Sequence, residues 1–76
     1  MSIEDLGLTK IERLLLYGLN QFNMSAEDMK LIVIFLKEDD QLLMIHYLKT
    51  HPDATRQDIL KETERLLEQR KRLSSL

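Results

Sequence analysis

Apolar residues recur along most of this chain at intervals of three and four, which places them on one side of an α-helix. The first such stretch predicts a helix over about residues 10–22, and the last predicts a longer helix over about residues 56–72. Each carries a single apolar stripe, as in helices that bury one side and expose the other. The chain therefore begins and ends with amphipathic helices.

The middle of the chain is apolar on two sides. A helix predicted over about residues 26–37 contains a run of six consecutive apolar residues. At 100° per residue, one face carries Met29, Ile32, Val33 and Leu36, and the other carries Leu31, Ile34 and Phe35. A helix with two apolar faces is either the central helix of the fold or one that meets a partner. We expect this second helix to be the most buried of the bundle.

An acidic triplet, Glu38-Asp39-Asp40, interrupts the apolar run and is interpreted as a polar turn. Asp39 or Asp40 then caps a third helix over about residues 41–50. Pro52 ends that helix, because the residue before a proline avoids the helical region. The alternative is one helix that continues through the triplet with a bend.

Three capping signals mark the other helix starts. Each is a hydroxyl residue with an acid three positions later, and the pairs are Thr9 with Glu12, Ser25 with Asp28, and Thr55 with Asp58. The pattern predicts an all-α protein, a compact bundle of about four short helices in one domain over residues 1–76. Three helices, with the second and third joined, are the alternative fold.

Composition indicates a protein of the reducing interior of a cell. The chain has no cysteine, and a small secreted domain usually needs disulfides. We expect no signal peptide, because the segment Met1–Asp5 is acidic and has no apolar run. The longest apolar run is far too short to cross a bilayer. The sequence therefore predicts a cytoplasmic protein.

Catalytic, metal and cofactor sites find no support in the sequence. His46 and His51 point about 140° apart on a helix at 100° per residue, so they cannot share an ion. The acids at the helix starts are explained as caps, and the serines fall at chain ends and caps. No glycine-rich loop is present to hold a phosphate. We expect a protein that is not an enzyme and that uses no metal, cofactor or small-molecule substrate.

The stretch from Tyr47 to Leu60 resembles the opening of winged-helix domains, in which a helix ends at a proline-bearing turn and a Thr-capped helix follows. Pro52 and Thr55 occupy those positions here. The resemblance covers about fourteen of the 76 residues and implies DNA binding by the C-terminal half. The chain departs from the pattern because it runs on through Lys61–Arg65 without a further turn, a recognition helix or wing strands.

Charge is distributed unevenly along the chain. Residues 1–40 carry a net charge of −4 and residues 41–76 one of +2. Arg70, Lys71 and Arg72 form a small basic cluster, the candidate nucleic-acid contact of a helix-turn-helix regulator. Acids on the last helix repel phosphate, and cations also suit a helix C-terminus. The mixed charge of that helix argues against a membrane-surface role.

Protein binding is the class of function that remains. The second face of the middle helix, Leu31, Ile34 and Phe35, meets a neighbouring helix or another chain. The sequence therefore favours a small interaction or regulatory module that contacts itself, as a homodimer, or a larger protein. A regulator that binds nucleic acid through its C-terminal half is the alternative.

Overall fold

Four helices account for most of residues 8–74, the part of the chain that the computed structural model describes. They are α1 (Lys10–Asn20), α2 (Ala26–Phe35), α3 (Glu38–Thr50) and α4 (Arg56–Ser74), and no strand occurs among these residues. The predicted all-α bundle of four short helices is confirmed. The segment Met1–Asp5, where the sequence predicts no signal peptide, lies outside the described residues.

Reciprocal capping boxes begin the first and last helices. The hydroxyl of Thr9 accepts from the backbone N–H of Glu12 at 3.0 Å, and the Glu12 carboxylate accepts from the N–H of Thr9 at 2.9 Å. Thr55 and Asp58 make the same two bonds at the start of α4, at 3.2 and 3.0 Å. These bonds satisfy N–H groups that a helix start leaves without partners. Both predicted boxes are confirmed.

The boundary between α2 and α3 differs from its prediction. Leu36 has an extended ψ of 135° and ends α2, and its side chain is buried in the core. Because this extended residue separates the two helices, the alternative of a single joined helix is wrong. The break comes before the acidic triplet, at a position that carries no turn-forming residue.

The acidic triplet is therefore helical and not a turn. Lys37 occupies the N-cap of α3 and makes no side-chain capping bond, so the prediction that Asp39 or Asp40 caps this helix is wrong. The triplet forms the first turn of α3, where the positive end of the helix dipole favours negative charge. Asp40 is also buried.

All four helices contribute to the core, and the most extensive contact is between α1 and α3. α1 packs against α2 and α3, and α4 packs against α3. A Cβ atom on Gly18 would stand 3.2 Å from the Leu48 side chain, so glycine here permits a close approach of α1 to α3. The buried apolar residues are Leu15, Leu19, Met24, Ile32, Val33, Leu36, Met44, Leu48, Ile59 and Leu66.

The second helix is not the most buried one. α2 buries only Ile32 and Val33, whereas α3 buries four side chains. The reason is position: α3 has neighbours on two sides, and α2 packs mainly on α1. The expectation that α2 is central is therefore corrected.

α4 is the longest helix, at 19 residues, and it runs two residues beyond its predicted end. It carries charged residues throughout its length. Across residues 8–74, no helix has both the length and the apolar content that a membrane crossing requires.

Candidate interaction surfaces

The outer face of α2, formed by Leu31, Ile34 and Phe35, is exposed. These side chains are 49 %, 65 % and 56 % exposed, respectively. Residues three and four apart are neighbours on a helix surface, so the three side chains adjoin one another. The opposite face of the same helix supplies Ile32 and Val33 to the core. The structure thus brings the three predicted partner-binding residues together on the surface.

An apolar groove between α1 and α2 adjoins this face. Its volume is about 450 Å³. Ile34 belongs to both surfaces, because its side chain lies on the outer face and also lines the groove. Glu12 and Lys30 are the charged residues at its rim. The apolar lining consists of Leu8, Leu16, Ala26, Met29, Val33 and Ile34.

A buried amide fixes the end of α2 that carries this face. The Gln41 side chain donates from Nε2 to the backbone carbonyl oxygens of Val33, at 3.1 Å, and Leu36, at 3.0 Å. Carbonyls at a helix C-terminus lack partners within the helix, so this amide acts as a cap supplied by the next helix. The capping role of Gln41 was not predicted from the sequence. The spacing of Gln41 from Met44 and Leu48 could have indicated it, because this spacing places Gln41 on the buried side of α3.

An ion pair holds the other end of α2. Arg56 donates from Nε to one carboxylate oxygen of Asp28 at 2.6 Å and from Nη2 to the other at 3.3 Å. This hydrogen bond lowers the pKa of Asp28. The predicted cap at Ser25 is present, since its hydroxyl accepts from the Asp28 N–H at 3.1 Å. The Asp28 carboxylate, however, ties the start of α2 to the start of α4.

Of the basic cluster, Arg70 is engaged within the fold. Its Nε donates to the carboxylate of Asp40 at 2.8 Å, and its Nη2 lies 3.7 Å from a carboxylate oxygen of Asp39. The Asp40 side chain is 9 % exposed, and a buried carboxylate requires such a partner. Lys71 and Arg72 follow on the exposed surface of α4.

A second groove lies between the start of α3 and the end of α4. Its volume is also about 450 Å³. Leu43 of α3 and Leu73 of α4 line it, and both are at least half exposed. Leu66 is buried at its floor. Asp39, whose side chain is 87 % exposed, stands on the α3 side.

The two histidines occupy separate environments. His51 stacks on the ring of Tyr47 with centroids 4.2 Å apart, and its Nδ1 lies 3.0 Å from the Tyr47 carbonyl oxygen. Burial raises the pKa of Tyr47, and the carboxylates of Asp58 and Glu62 add to the effect. His46 is exposed on α3. In the described part of the chain, no three metal-ligating side chains come together.

The resemblance to winged-helix domains ends at α4. The helix that follows the Pro52 turn continues without interruption for 19 residues, from Arg56 to Ser74. No strand follows it within the described range. Comparisons with protein families, with curated proteins and with solved structures find no match for this chain.

Proposed function

We propose that this protein is a non-catalytic interaction or regulatory module that binds a second copy of itself or a larger protein through helix-face contacts. One observation carries the proposal: the outer face of α2 is apolar, contiguous and exposed, although the same helix contributes its other face to the core. Large apolar side chains that adjoin one another on a surface mark interaction sites more often than scattered ones do.

Burying one fully exposed large apolar side chain contributes roughly 1.5–3 kcal/mol. The three residues of the outer face are about half exposed, so they supply only part of the energy that a specific contact needs. A stable interface covers about 800 Å² on each partner, which is more than three side chains offer. The α1–α2 groove shares Ile34 with this face and extends the apolar surface beyond α2. We expect a partner to cover the face and the groove together.

Several charged side chains already have partners within the fold, which supports protein binding over catalysis or nucleic-acid binding as the function. The carboxylates of Asp28, Asp40 and Asp58 are used in ion pairs and caps that hold the helices. Arg70, the first cation of the basic cluster, is bound to Asp40. The cysteine-free composition supports a place in the reducing cytoplasm.

The test uses Ile34→Lys together with Phe35→Glu. Because both side chains point to solvent, we expect the variant to keep its helical circular dichroism and to lose association. Sedimentation at about 100 μM reports self-association, since that concentration lies well above a micromolar dissociation constant. Affinity capture with wild-type and variant bait reports a larger partner.

The matched control is Leu14→Lys with Tyr17→Glu, which changes two exposed apolar residues on α1. It should leave association intact. If the α2 variant unfolds, or binds as the wild type does in both assays, the proposed surface is wrong.

A further inference from the structure

The groove between α1 and α2 lies where the described part of the chain begins. Leu8, the first described residue, lines this groove and is half-buried in it. Gly7 precedes it in the sequence, and glycine allows backbone directions that other residues disfavour. Residues 1–7, which we call the segment before α1, therefore join the fold at the groove itself.

The capping box of α1 holds that entry point in place. The N–H of Thr9 donates to the Glu12 carboxylate at 2.9 Å, and the extended backbone of Thr9 leads back to Leu8. An extended residue spans at most about 3.6 Å, so Asp5 can lie about 11 Å from Leu8 and Ile3 about 18 Å. α2 has 10 residues and is about 15 Å long. The segment is thus long enough to follow the groove along the whole of α2.

The segment before α1 carries apolar residues that suit the lining of the groove. Ile3 and Leu6 stand on either side of Glu4-Asp5 in the sequence. The lining is apolar apart from two charged residues, Glu12 and Lys30. Two apolar side chains and two acids are therefore available to a surface that offers an apolar lining and one cation.

Charge gives the segment a preferred side of the groove. Lys30, on the α2 side, is exposed, and no carboxylate among residues 8–74 forms an ion pair with it. Glu12, on the α1 side, is negative and repels other carboxylates. Glu4 and Asp5 are therefore drawn toward Lys30 and away from α1, which carries their backbone across the groove.

We propose that the occupant of this groove is the segment before α1 of the same chain. Ile3 and Leu6 pack on the apolar lining, and the carboxylate of Asp5 lies beside Lys30. The groove is then the place where the beginning of the chain contacts α2.

Proximity is the reason to choose the chain's own segment over a separate molecule. A tether of a few residues gives a local concentration of about millimolar, well above that of a dilute partner. A second copy or another protein has to bind from solution and also displace the tethered segment. The segment therefore occupies the groove first.

The contact gives the proposed function a means of regulation, and this consequence rests on that function. A partner that covers the outer face of α2 and the groove together has to displace the segment. Leu31 and Phe35 do not line the groove and remain accessible while the segment is bound. The segment is thus autoinhibitory: it weakens partner binding without abolishing it.

Disulfide crosslinking tests the contact directly, because the chain has no cysteine of its own. In Asp5→Cys with Lys30→Cys, two thiols replace the proposed ion pair, and oxidised glutathione is the oxidant. A disulfide needs Cα atoms about 4.4–6.8 Å apart, so it forms readily only when the segment lies at α2. Non-reducing electrophoresis and mass spectrometry follow the product. The chain should close within itself at least about tenfold faster than a control pair, because proximity raises the effective concentration of the thiols.

The control pair is Asp5→Cys with Lys49→Cys. Lys49 is exposed and lines a different depression, together with Gln21 just beyond the end of α1. Equal rates of closure for the Lys30 and Lys49 pairs overturn the proposal. A product crosslinked between two chains also overturns it, since the occupant is then a second copy.

A further variant tests the apolar part of the contact. Ile3→Ser with Leu6→Ser, added to the Asp5 and Lys30 cysteine pair, should slow closure to the rate of the control pair. Helical circular dichroism should be unchanged, because both positions precede α1. Closure as fast as without these two changes would show that the segment does not pack on the lining, and would overturn the proposal.

Partner binding is measured separately, on protein without cysteines. Ile3→Ser with Leu6→Ser should associate at least about threefold more tightly than wild type in the sedimentation and capture assays, because the groove no longer has to be vacated. Unchanged association would overturn the autoinhibitory role, even where the crosslink forms. The crosslink itself needs no partner. If the α2 variant, Ile34→Lys with Phe35→Glu, associates as wild type does, the proposed function fails and the crosslink still decides this contact.

Discussion

α2 and α3 differ in a way that their composition does not explain. α2 is the more apolar helix, and yet α3 buries four side chains where α2 buries two. Two of the four in α3 are polar, Asp40 and Gln41. α3 lies between α1 and α4, whereas α2 packs mainly on α1. A helix with neighbours on two sides can bury polar groups, provided that those neighbours supply the hydrogen-bond partners.

Hydrophobicity and burial are therefore different properties of these two helices. The outer face of α2 is apolar without being part of the core, so its residues should be replaceable at little cost to folding. The inner side of α3 contains polar residues that should be as sensitive to substitution as apolar ones. The following substitutions test this contrast.

Met44→Ala should have the largest effect. The Met44 side chain is fully buried on α3, and removing such a side chain costs about 2–5 kcal/mol because it leaves a cavity. Urea denaturation measures the change in the free energy of unfolding. Leu42→Ala on the same helix is the control, since Leu42 is half exposed and should cost far less. Equal losses of unfolding free energy for the two variants would show that α3 is buried on both sides.

Gln41→Ala should follow. It removes the donor to the carbonyl oxygens of Val33 and Leu36, and buried groups left without partners cost about 1–3 kcal/mol. Gln41→Glu preserves the shape and removes the donor, so it should be destabilising as well. A Gln41→Ala variant as stable as wild type would mean that the amide is not needed to cap the C-terminal end of α2.

Ser25→Ala should cost about 1 kcal/mol, because its hydroxyl caps the start of α2. Lys37→Ala is the matched control at the start of α3, where the N-cap residue makes no side-chain bond. Thermal unfolding followed by circular dichroism compares the two. Equal losses of thermal stability would contradict the observation that only the N-cap of α2 makes a side-chain hydrogen bond.

Ile34→Thr should change the free energy of unfolding by no more than about 0.5 kcal/mol, as is usual for surface substitutions. Ile32→Thr, two positions away on the core face, should cost at least about 2 kcal/mol, since it loses buried apolar volume and buries a hydroxyl. Similar costs at both positions would make α2 a central helix after all.

Asp28→Asn should have the smallest effect, and that effect should depend on pH. The bond from Arg56 lowers the pKa of Asp28 below its unfolded value of about 3.9. The ionised carboxylate therefore stabilises the fold above that value, and the contribution is lost as the pH falls through the lower, folded pKa. The difference between wild type and variant in urea midpoint should shrink below about pH 4. A constant difference from pH 7 to pH 2 would contradict the assignment.

Local patterns predicted the helices, and the reasons are visible at single residues. The apolar spacing located all four helices, and Thr9, Ser25 and Thr55 marked three of their starts. The break at Leu36 could not be predicted, because neither Leu36 nor Lys37 favours a turn. It forms where an extended backbone lets the Leu36 side chain enter the core.

Long-range partners explain most of what the sequence did not predict. Asp40 is buried because Arg70, thirty residues later, bonds to it. Periodicity identified the two apolar faces of α2 without showing which one the other helices cover. Which face is covered depends on how α1 and α4 pack, and the sequence of a single helix does not determine that packing. The sequence therefore predicted the outer-face residues as a group but left their exposure open.

The amide of Gln41 also affects how α2 can recognise a partner. Helix ends normally fray, and a frayed segment must lose conformational entropy when it binds. Ile34 and Phe35 lie between Val33 and Leu36, whose carbonyl oxygens are both held by a side chain from α3. These two bonds oppose fraying at this end of the outer face before any encounter. Binding there would resemble the docking of a rigid surface more than the folding of a peptide onto its target.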